Sequence, residues 1–184
     1  MIKKVWDFLW KSNTVLSWIV CILLIFLIIR FIIFPVSGLI LGTSMPFVIV
    51  ESGSMHHEGN LSEWWAIHSD WYEKNDIDLF EIEDYWNFKN GLNKGDIIII
   101  KGSKDYKKGE IIIFKIQEKN TPIIHRIVDT ERLDGKLTYS TKGDHNDGQL
   151  LQELIITKEQ VVGKAIGRIP GVGWIKLFFV ELFK

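Results

Sequence analysis

The chain has 184 residues, and its 22 Lys and Arg against 23 Asp and Glu give a formal net charge of -1. This length favours one domain, and the balanced charge gives no reason to expect nucleic acid as a partner. The single cysteine, Cys21, excludes an internal disulfide framework and a zinc site built on paired cysteines. Of the residues, 47% are hydrophobic, and many of them lie close together near the N-terminus.

Residues 15–34 form an apolar run of twenty residues that contains one charge, Arg30. A helix of this length rises about 30 Å, which matches the hydrocarbon thickness of a bilayer. The run ends in Arg30, Phe31 and Pro35, without the small-residue pattern of a signal-peptide cleavage site. We therefore predict a retained transmembrane helix over residues 15–35, with Arg30 close enough to its end to reach the interface.

The segment before this helix, residues 1–14, carries Lys3, Lys4 and Lys11 against Asp7. Short positively charged flanks are retained in the cytoplasm. We therefore expect a single-pass membrane protein with a cytoplasmic N-terminus and the rest of the chain outside.

Beyond the apolar run, short β-branched segments alternate with turn signals. Residues 44–55 contain a compact apolar strand and a small-residue turn. Five further strand candidates are residues 96–101, 110–115, 121–128, 137–141 and 159–166. Because no helical period competes there, we predict a mainly antiparallel β domain over residues 36–169. Residues 170–184 are expected to form a short helix that is either interfacial or packed on the core.

Residues 56–93 differ from the rest of this domain. From residue 58 onward they hold nine acids, two lysines and eight aromatic residues, a net charge of -7. Such a segment is too aromatic for a disordered acidic tail, so we predict an insertion folded into one or two short helices. Its aromatic face either packs on the β domain or serves as a surface for the membrane interface or a partner.

Three short segments concentrate the reactive side chains. The turn ESGSM places Ser54 after a strand, IIHRIV interrupts an apolar run with His125, and the turn KGDHNDG carries Asp144 and Asp147. Each segment alone has a structural interpretation, as a loop, a hydrogen-bonded core histidine or a solvated turn. Together they supply the nucleophile, the base and the orienting carboxylate that serine hydrolysis needs.

A metal site is the competing interpretation, because His56, His57, His68 and Glu58 are close in sequence. Adjacent histidines tend to point in different directions, and the chain has no HExxH pair at i,i+4 spacing. We therefore expect no metal and no cofactor.

In this order behind an N-terminal anchor, the three segments resemble the motifs of type I signal peptidases, the membrane serine proteases that remove signal peptides. SGSM resembles their nucleophile box, with Ser54 at the catalytic position, and KGDHND resembles their Gly-Asp-x-Asn box. His125 stands where bacterial members carry a lysine, which indicates the archaeal and endoplasmic-reticulum branch. The resemblance covers roughly residues 15–55 and 92–175 and leaves the insertion unmatched.

The resemblance implies a membrane-bound serine endopeptidase that cuts after small residues. It assigns Ser54 as nucleophile, His125 as general base and Asp147 as orienting acid, with Asp144 as a supporting acid. The two aspartates could exchange roles, because relatives commonly carry a second acid further along, where Gln149 and Leu150 stand here.

The resemblance also implies an oxyanion site made by the backbone N–H of Ser54 and the hydroxyl of Ser52. The implied partners are signal peptides of exported preproteins and the lipid bilayer, with the Sec translocon as a further candidate. The lack of a C-terminal KDEL-type signal favours an archaeal cell membrane over the endoplasmic reticulum.

Two alternatives stay open from the sequence. One is a non-catalytic anchored ectodomain or an accessory subunit of a protein-export complex, in which the serine, histidine and aspartates are dispensable. The other is a hydrolase that uses Lys101 or Lys142 as its base.

Overall fold

The computed structural model describes residues 2–116 and 121–182, and the chain divides into two compact units, Met1–Leu41 and Gly42–Lys184. The first unit is helical. Its elements are α1 (Ile2–Lys11), α2 (Val15–Ile28), a π-helical turn (Ile29–Ile33) and α3 (Phe34–Leu41). From Val15 to Leu41 they form one apolar helix that is long enough to cross a membrane.

This helix continues past residue 35, where the sequence analysis places its end. Pro35 cannot donate a backbone hydrogen bond, and its ring crowds the preceding turn of a regular helix. The wider π-helical turn just before Phe34 provides the local irregularity that such a ring needs. The helix ends instead before Gly42, whose φ of 62° is a conformation that glycine adopts without strain.

The second unit is built on one curled antiparallel sheet, which confirms the predicted fold class. Its strands are β1 (Phe47–Ile49), β2 (Ile97–Lys101), β3 (Ile111–Phe114), β4 (Ile123–Leu133), β5 (Lys136–Lys142), β6 (Ile156–Thr157) and β7 (Val161–Ile169). Their order in the sheet is β1-β2-β7-β3-β4-β5-β6, so β1 and β6 lie at the edges. The sequence analysis missed β6, because two residues are too few to show an alternating pattern.

Strand β3 lies in the centre of the sheet and is buried on both faces. Ile111 and Ile113 belong to one core cluster, whereas Ile112 and Phe114 belong to a second cluster on the other face. A strand covered on both sides needs apolar residues at every position, which explains the unbroken apolar run in the sequence. Because β4 pairs with β3, it is held between the same two core clusters.

The acidic, aromatic insertion forms two helices, α4 (Leu61–Glu73) and α5 (Leu79–Tyr85), whose first turns are capped by Asn60 and Asp78. Its buried side chains form a third core cluster together with Val128 of β4. The cluster consists of Trp64, Tyr72, Ile77, Ile82, Trp86 and Val128. The insertion therefore packs part of its aromatic surface on the β domain.

The C-terminal segment forms helix α6 (Trp174–Leu182), while Phe183 and Lys184 lie outside the described residues. Leu177 is buried against the domain, whereas Phe178, Phe179 and Leu182 are exposed. The helix is also held by Trp174, which lies against Gly95, and by ion pairs of Lys176 and Glu181, and it leaves most of its apolar surface uncovered.

Candidate active site

Ser54 lies in the turn that follows β1, and the two ends of this turn are anchored in the core. Val50 and Met55 are both buried, while the intervening residues 51–53 are exposed. The carbonyl of Met55 accepts a hydrogen bond of 2.7 Å from the N–H of Leu92, which fixes the exit of the turn. The Ser54 hydroxyl is thus held beyond the strand end on a rigid support.

His125 lies on β4 and is nearly buried, with 5% of its surface exposed. Its Nε2 is 3.0 Å from the Ser54 Oγ, although the two residues are 71 positions apart in the chain. This distance suits a hydrogen bond from the serine hydroxyl to the imidazole. The structure therefore brings the predicted nucleophile and the predicted base together.

The other ring nitrogen of His125, Nδ1, contacts the Oε1 atom of Glu153. Glu153 is fully buried at the end of a short 3-10 helix (Leu151–Glu153). Its carboxylate also accepts hydrogen bonds from the N–H of Leu150, at 2.8 Å, and from the hydroxyl of Thr141, at 3.3 Å. A serine, a histidine and a carboxylate therefore form one continuous chain of contacts, the arrangement of a Ser-His-acid triad.

The structure does not bring Asp147, the residue the sequence analysis prefers as orienting acid, to His125. Asp147 is exposed and makes no hydrogen bond or ion pair with any residue in the described ranges. The chain between Asp147 and Glu153 turns back towards β4, so the later acid occupies the position at Nδ1. Sequence reasoning missed Glu153 because it lies in the ordinary segment QELI, with no motif around it.

Asp144, the other predicted acid, faces Arg126 and His57 instead of His125. The Arg126 guanidinium donates to both carboxylate oxygens, at 2.9 Å from Nε and 2.6 Å from Nη2, and His57 Nε2 lies 2.9 Å from Oδ2. Complete burial alone would raise the pKa of Asp144, but the charge of Arg126 and the hydrogen bonds from His57 and Arg126 hold it well below its ordinary value. Asp144 is therefore an ionised group of the buried framework.

Arg126 ties this framework to the insertion. It follows His125 on β4 and therefore points to the opposite face of the strand. Its Nη1 donates to the carbonyls of Asn87, at 2.7 Å, and Gly109, at 3.0 Å, and its guanidinium lies 4.5 Å from the ring centre of Trp86. The buried charge is thus paired and its donors are used, as a stable buried arginine requires.

Gly143 lets the loop after β5 approach Ser54 and His125 closely. A Cβ atom at this position would lie 2.8 Å from both His125 Nε2 and the carbonyl oxygen of Ser54. The next residues hold the loop in place, since His145 N–H donates to the same Ser54 carbonyl at 2.9 Å. The Gly-Asp pair therefore has two physical roles, close approach by Gly143 and burial of charge by Asp144.

The predicted oxyanion groups lie beside the nucleophile. The Ser52 hydroxyl is 3.1 Å from the Ser54 Oγ. The backbone N–H of Ser54 donates no hydrogen bond to any residue in the described part of the chain. This N–H is therefore available to an incoming oxygen atom, whereas the Ser52 hydroxyl already contacts Ser54, and the oxyanion roles of both groups stay predictions.

The two lysines considered as alternative bases do not hydrogen-bond to Ser54 among the described residues. The Lys142 ammonium donates to the Tyr72 hydroxyl at 3.3 Å and to the Gly143 carbonyl at 3.1 Å. Burial lowers the pKa of Lys142 to about 8, against the opposing effect of nearby acids. Lys101 is exposed at the end of β2. Histidine is thus the base that the geometry favours.

Of the four residues considered for a metal site, His56 and His57 contact other partners, and only Glu58 and His68 lie together. His57 is buried, bonded to Asp144 and stacked on Trp64 with ring centres 4.1 Å apart, and His56 Nδ1 is 2.8 Å from the Asn93 side-chain oxygen. Glu58 and His68 do lie together, and the residue that joins them is His145.

Comparison with known proteins finds similarity to catalytic subunits of the signal peptidase complex, although no family model matches the chain. The chain is 32% identical over 94 residues to the signal peptidase complex catalytic subunit SEC11C of Homo sapiens, covering 47% of this chain and 49% of that protein. It is 34% identical over 100 residues to the catalytic subunit SEC11 of Leptosphaeria maculans, covering 49% and 57%. For the catalytic subunit sec11 of Dictyostelium discoideum the identity is 33% over 91 residues, covering 46% and 51%.

The chain spans about half the length of these curated relatives. Over about half of its own length, this chain is homologous to the catalytic subunits of the signal peptidase complex. This homology confirms the resemblance that the three sequence motifs predicted.

Proposed function

We propose that this chain is a membrane-anchored serine endopeptidase that removes signal peptides from exported preproteins. The observation that carries the proposal is the chain of contacts from Ser54 through His125 to Glu153. Homology to signal peptidase catalytic subunits supports the substrate class. The apolar helix from Val15 to Leu41 supports attachment to a membrane, where signal peptides are found.

The proposed reaction is acyl transfer. Ser54 Oγ attacks the scissile carbonyl while His125 Nε2 takes the hydroxyl proton, and His125 then passes that proton to the leaving amine. Water attacks the resulting acyl-enzyme by the same route and releases the second product. The N–H of Ser54 and the hydroxyl of Ser52 stabilise the negative oxygen of the tetrahedral intermediate.

Glu153 takes the role that the sequence analysis assigned to Asp147. With Nδ1–H donating to Glu153, the imidazole presents its lone pair at Nε2 to the serine hydroxyl. The buried carboxylate then stabilises the imidazolium that forms in the transition state. Thr141 and the N–H of Leu150 fix the carboxylate, so the histidine is oriented before substrate binds.

The edge strand β1 offers a site for an extended substrate. It pairs with β2 on one side and is the terminal strand of the sheet on the other. A peptide that adds to this edge would run alongside the strand that leads to Ser54, with main-chain hydrogen bonds giving affinity independent of sequence. Small side chains at alternate positions would then be selected by shallow pockets, as the family resemblance implies.

The proposed topology places the N-terminus in the cytoplasm and the β domain outside. The lysines of the N-terminal segment support this orientation. A substrate anchored in the same bilayer reaches the site at a high effective concentration. The relatives are named as subunits of a complex, so we include further subunits among the proposed partners.

Cleavage of a preprotein by the purified chain tests the proposal directly. Ser54→Ala and His125→Ala should each abolish processing, because catalysis by such a triad depends on its members together and their removal costs several orders of magnitude in rate. Single-turnover cleavage in detergent micelles is the measurement, with unchanged thermal unfolding as the control for folding. Processing at the wild-type rate by Ser54→Ala would overturn Ser54 as the nucleophile, whereas a wild-type chain that cleaves no preprotein would support a non-catalytic ectodomain.

A further inference from the structure

Three metal-ligating side chains from separate parts of the chain converge beside the catalytic loop. They are Glu58 before the insertion helices, His68 on α4 and His145 in the loop after β5. One ligand atom from each lies within 4.8 Å of the ligand atoms of the other two. Glu58 stands between the histidines, with Oε1 2.9 Å from His145 Nδ1 and Oε2 3.5 Å from His68 Nε2.

Two imidazoles and a carboxylate form a ligand set that zinc accepts, with water as the fourth ligand. Zinc binds such atoms at about 2.0–2.2 Å, so tetrahedral neighbours are roughly 3.4 Å apart. The distances of 2.9 Å and 3.5 Å from the Glu58 oxygens lie on either side of this spacing. Since all three ligand atoms lie within 4.8 Å of one another, no pair has to close by more than about 1.4 Å to surround one ion.

Two buried atoms of this cluster make no hydrogen bond to any of the described residues. They are His68 Nε2, on a side chain that is 10% exposed, and Glu58 Oε2, and they face each other at 3.5 Å. Buried polar atoms without a partner are costly. An ion between the two atoms would satisfy both.

From this geometry we infer that Glu58, His68 and His145 bind one divalent transition-metal ion, of which Zn²⁺ is the best match. The ion joins α4 of the insertion to the loop that contains Gly143 and Asp144. Because the N–H of His145 donates to the Ser54 carbonyl at 2.9 Å, the same ion stabilises the position of that loop against the nucleophile turn. This inference concerns a site outside the proposed triad and holds independently of the proposed activity.

Zinc titration of the full chain in detergent tests the inference. After removal of metal with a chelator, isothermal titration with Zn²⁺ should show one site per chain. Glu58→Gln, His68→Ala and His145→Ala should each weaken binding by at least about tenfold, since even residues that only support metal ligands cost this much when replaced. Co²⁺ bound at the site should give the intense visible absorption of a four-coordinate ion in the wild type and lose it in the same variants.

His56→Ala is the matched control. His56 is an exposed histidine whose ring centre lies 6.2 Å from that of His145, and it bonds to Asn93 outside the cluster. It should bind Zn²⁺ as the wild type does. Equal weakening in His56→Ala, or undiminished binding in the three ligand variants, would show adventitious binding and overturn the inference, as would a wild type that binds no Zn²⁺.

Folding of the variants is checked by thermal unfolding without metal. Glu58→Gln preserves the size of the side chain and His145 is exposed, so these two variants decide the question if His68→Ala unfolds. Because Zn²⁺ affinity is measured without any peptidase assay, a chain that binds zinc and cleaves nothing refutes only the proposed function. A chain that cleaves preprotein and binds no zinc refutes only the metal site.

Discussion

Glu153 and Asp147, the two acids weighed for orienting His125, differ in burial. Glu153 is fully buried and its carboxylate contacts His125, whereas Asp147 is exposed to solvent. A charge in water is screened and its side chain is mobile, so it orients a neighbour poorly. A buried carboxylate with fixed hydrogen bonds holds one ring orientation and one tautomer.

We predict that Glu153→Gln loses roughly 10⁴-fold in the rate of single-turnover cleavage, because the amide cannot stabilise the imidazolium and favours the wrong tautomer. Asp147→Asn should cleave at nearly the wild-type rate and serves as the control from the same loop. The reverse ranking would restore Asp147 as the orienting acid and leave Glu153 with a structural role.

We predict that replacing Asp144 lowers the free energy of unfolding and does not act specifically on the cleavage step. Asp144→Ala leaves the buried Arg126 charge without its partner and should cost about 3–5 kcal/mol of unfolding free energy. Asp147→Ala, at an exposed position, should change the free energy by less than about 0.5 kcal/mol. Urea unfolding of both variants measures the difference, and similar stabilities would contradict the buried role of Asp144.

The depressed pKa of Asp144 also predicts a pH dependence of stability. The folded state favours the ionised carboxylate, so its contribution is complete above the ordinary aspartate pKa of about 3.9 and is lost as the pH falls below that value. The wild type should therefore lose stability below about pH 4 more steeply than Asp144→Ala. Unfolding free energies measured between about pH 3 and about pH 7 provide the comparison. Parallel profiles would mean that Asp144 is not ionised against Arg126.

At the scale of elements, the loop after β5 matters because its backbone approaches both Ser54 and His125, the proposed catalytic pair. Gly143→Ala places a methyl group 2.8 Å from His125 Nε2 and from the Ser54 carbonyl, so either the loop or the catalytic pair must move. Displacements of about 1 Å cost on the order of 10²-fold in rate. We predict a loss of this size in preprotein cleavage.

Gly148→Ala in the same loop is the control for this prediction. A Cβ atom at Gly148 meets its nearest neighbour, Trp71, at 3.9 Å, which is ordinary contact. It should therefore retain wild-type cleavage. If both variants behave alike, close approach at Gly143 is not what positions the catalytic pair.

At the scale of the whole molecule, the proposed function depends on the orientation of the anchor. With the N-terminus in the cytoplasm, residues from 42 onward should resist added protease in sealed inside-out vesicles and be digested in right-side-out vesicles. Immunoblotting of the β domain after digestion is the measurement. Digestion only in inside-out vesicles would place the domain in the cytoplasm and remove access to exported cleavage sites.

The sequence by itself determined the features that depend on local pattern. An apolar run of this length is stable only in lipid or in a large core, so the helix from Val15 was predictable. Runs of β-branched residues between turn residues predict strands, and six of the seven strands were predictable in this way. Ser54 and His125 were also candidates from the sequence, because each stands in a short motif whose residues are adjacent in the chain.

Only the tertiary structure decided which acid reaches His125 and what surrounds it. Glu153 is 28 positions from His125 and meets it because the segment after β5 turns back across the sheet, a path that no local periodicity encodes. The pairing of Asp144 with Arg126, and the convergence of His68 with His145, arise in the same way from segments distant in sequence. The local sequence determines which side chains are present in each segment. The long-range path of the chain and the burial that results determine which carboxylate contacts His125.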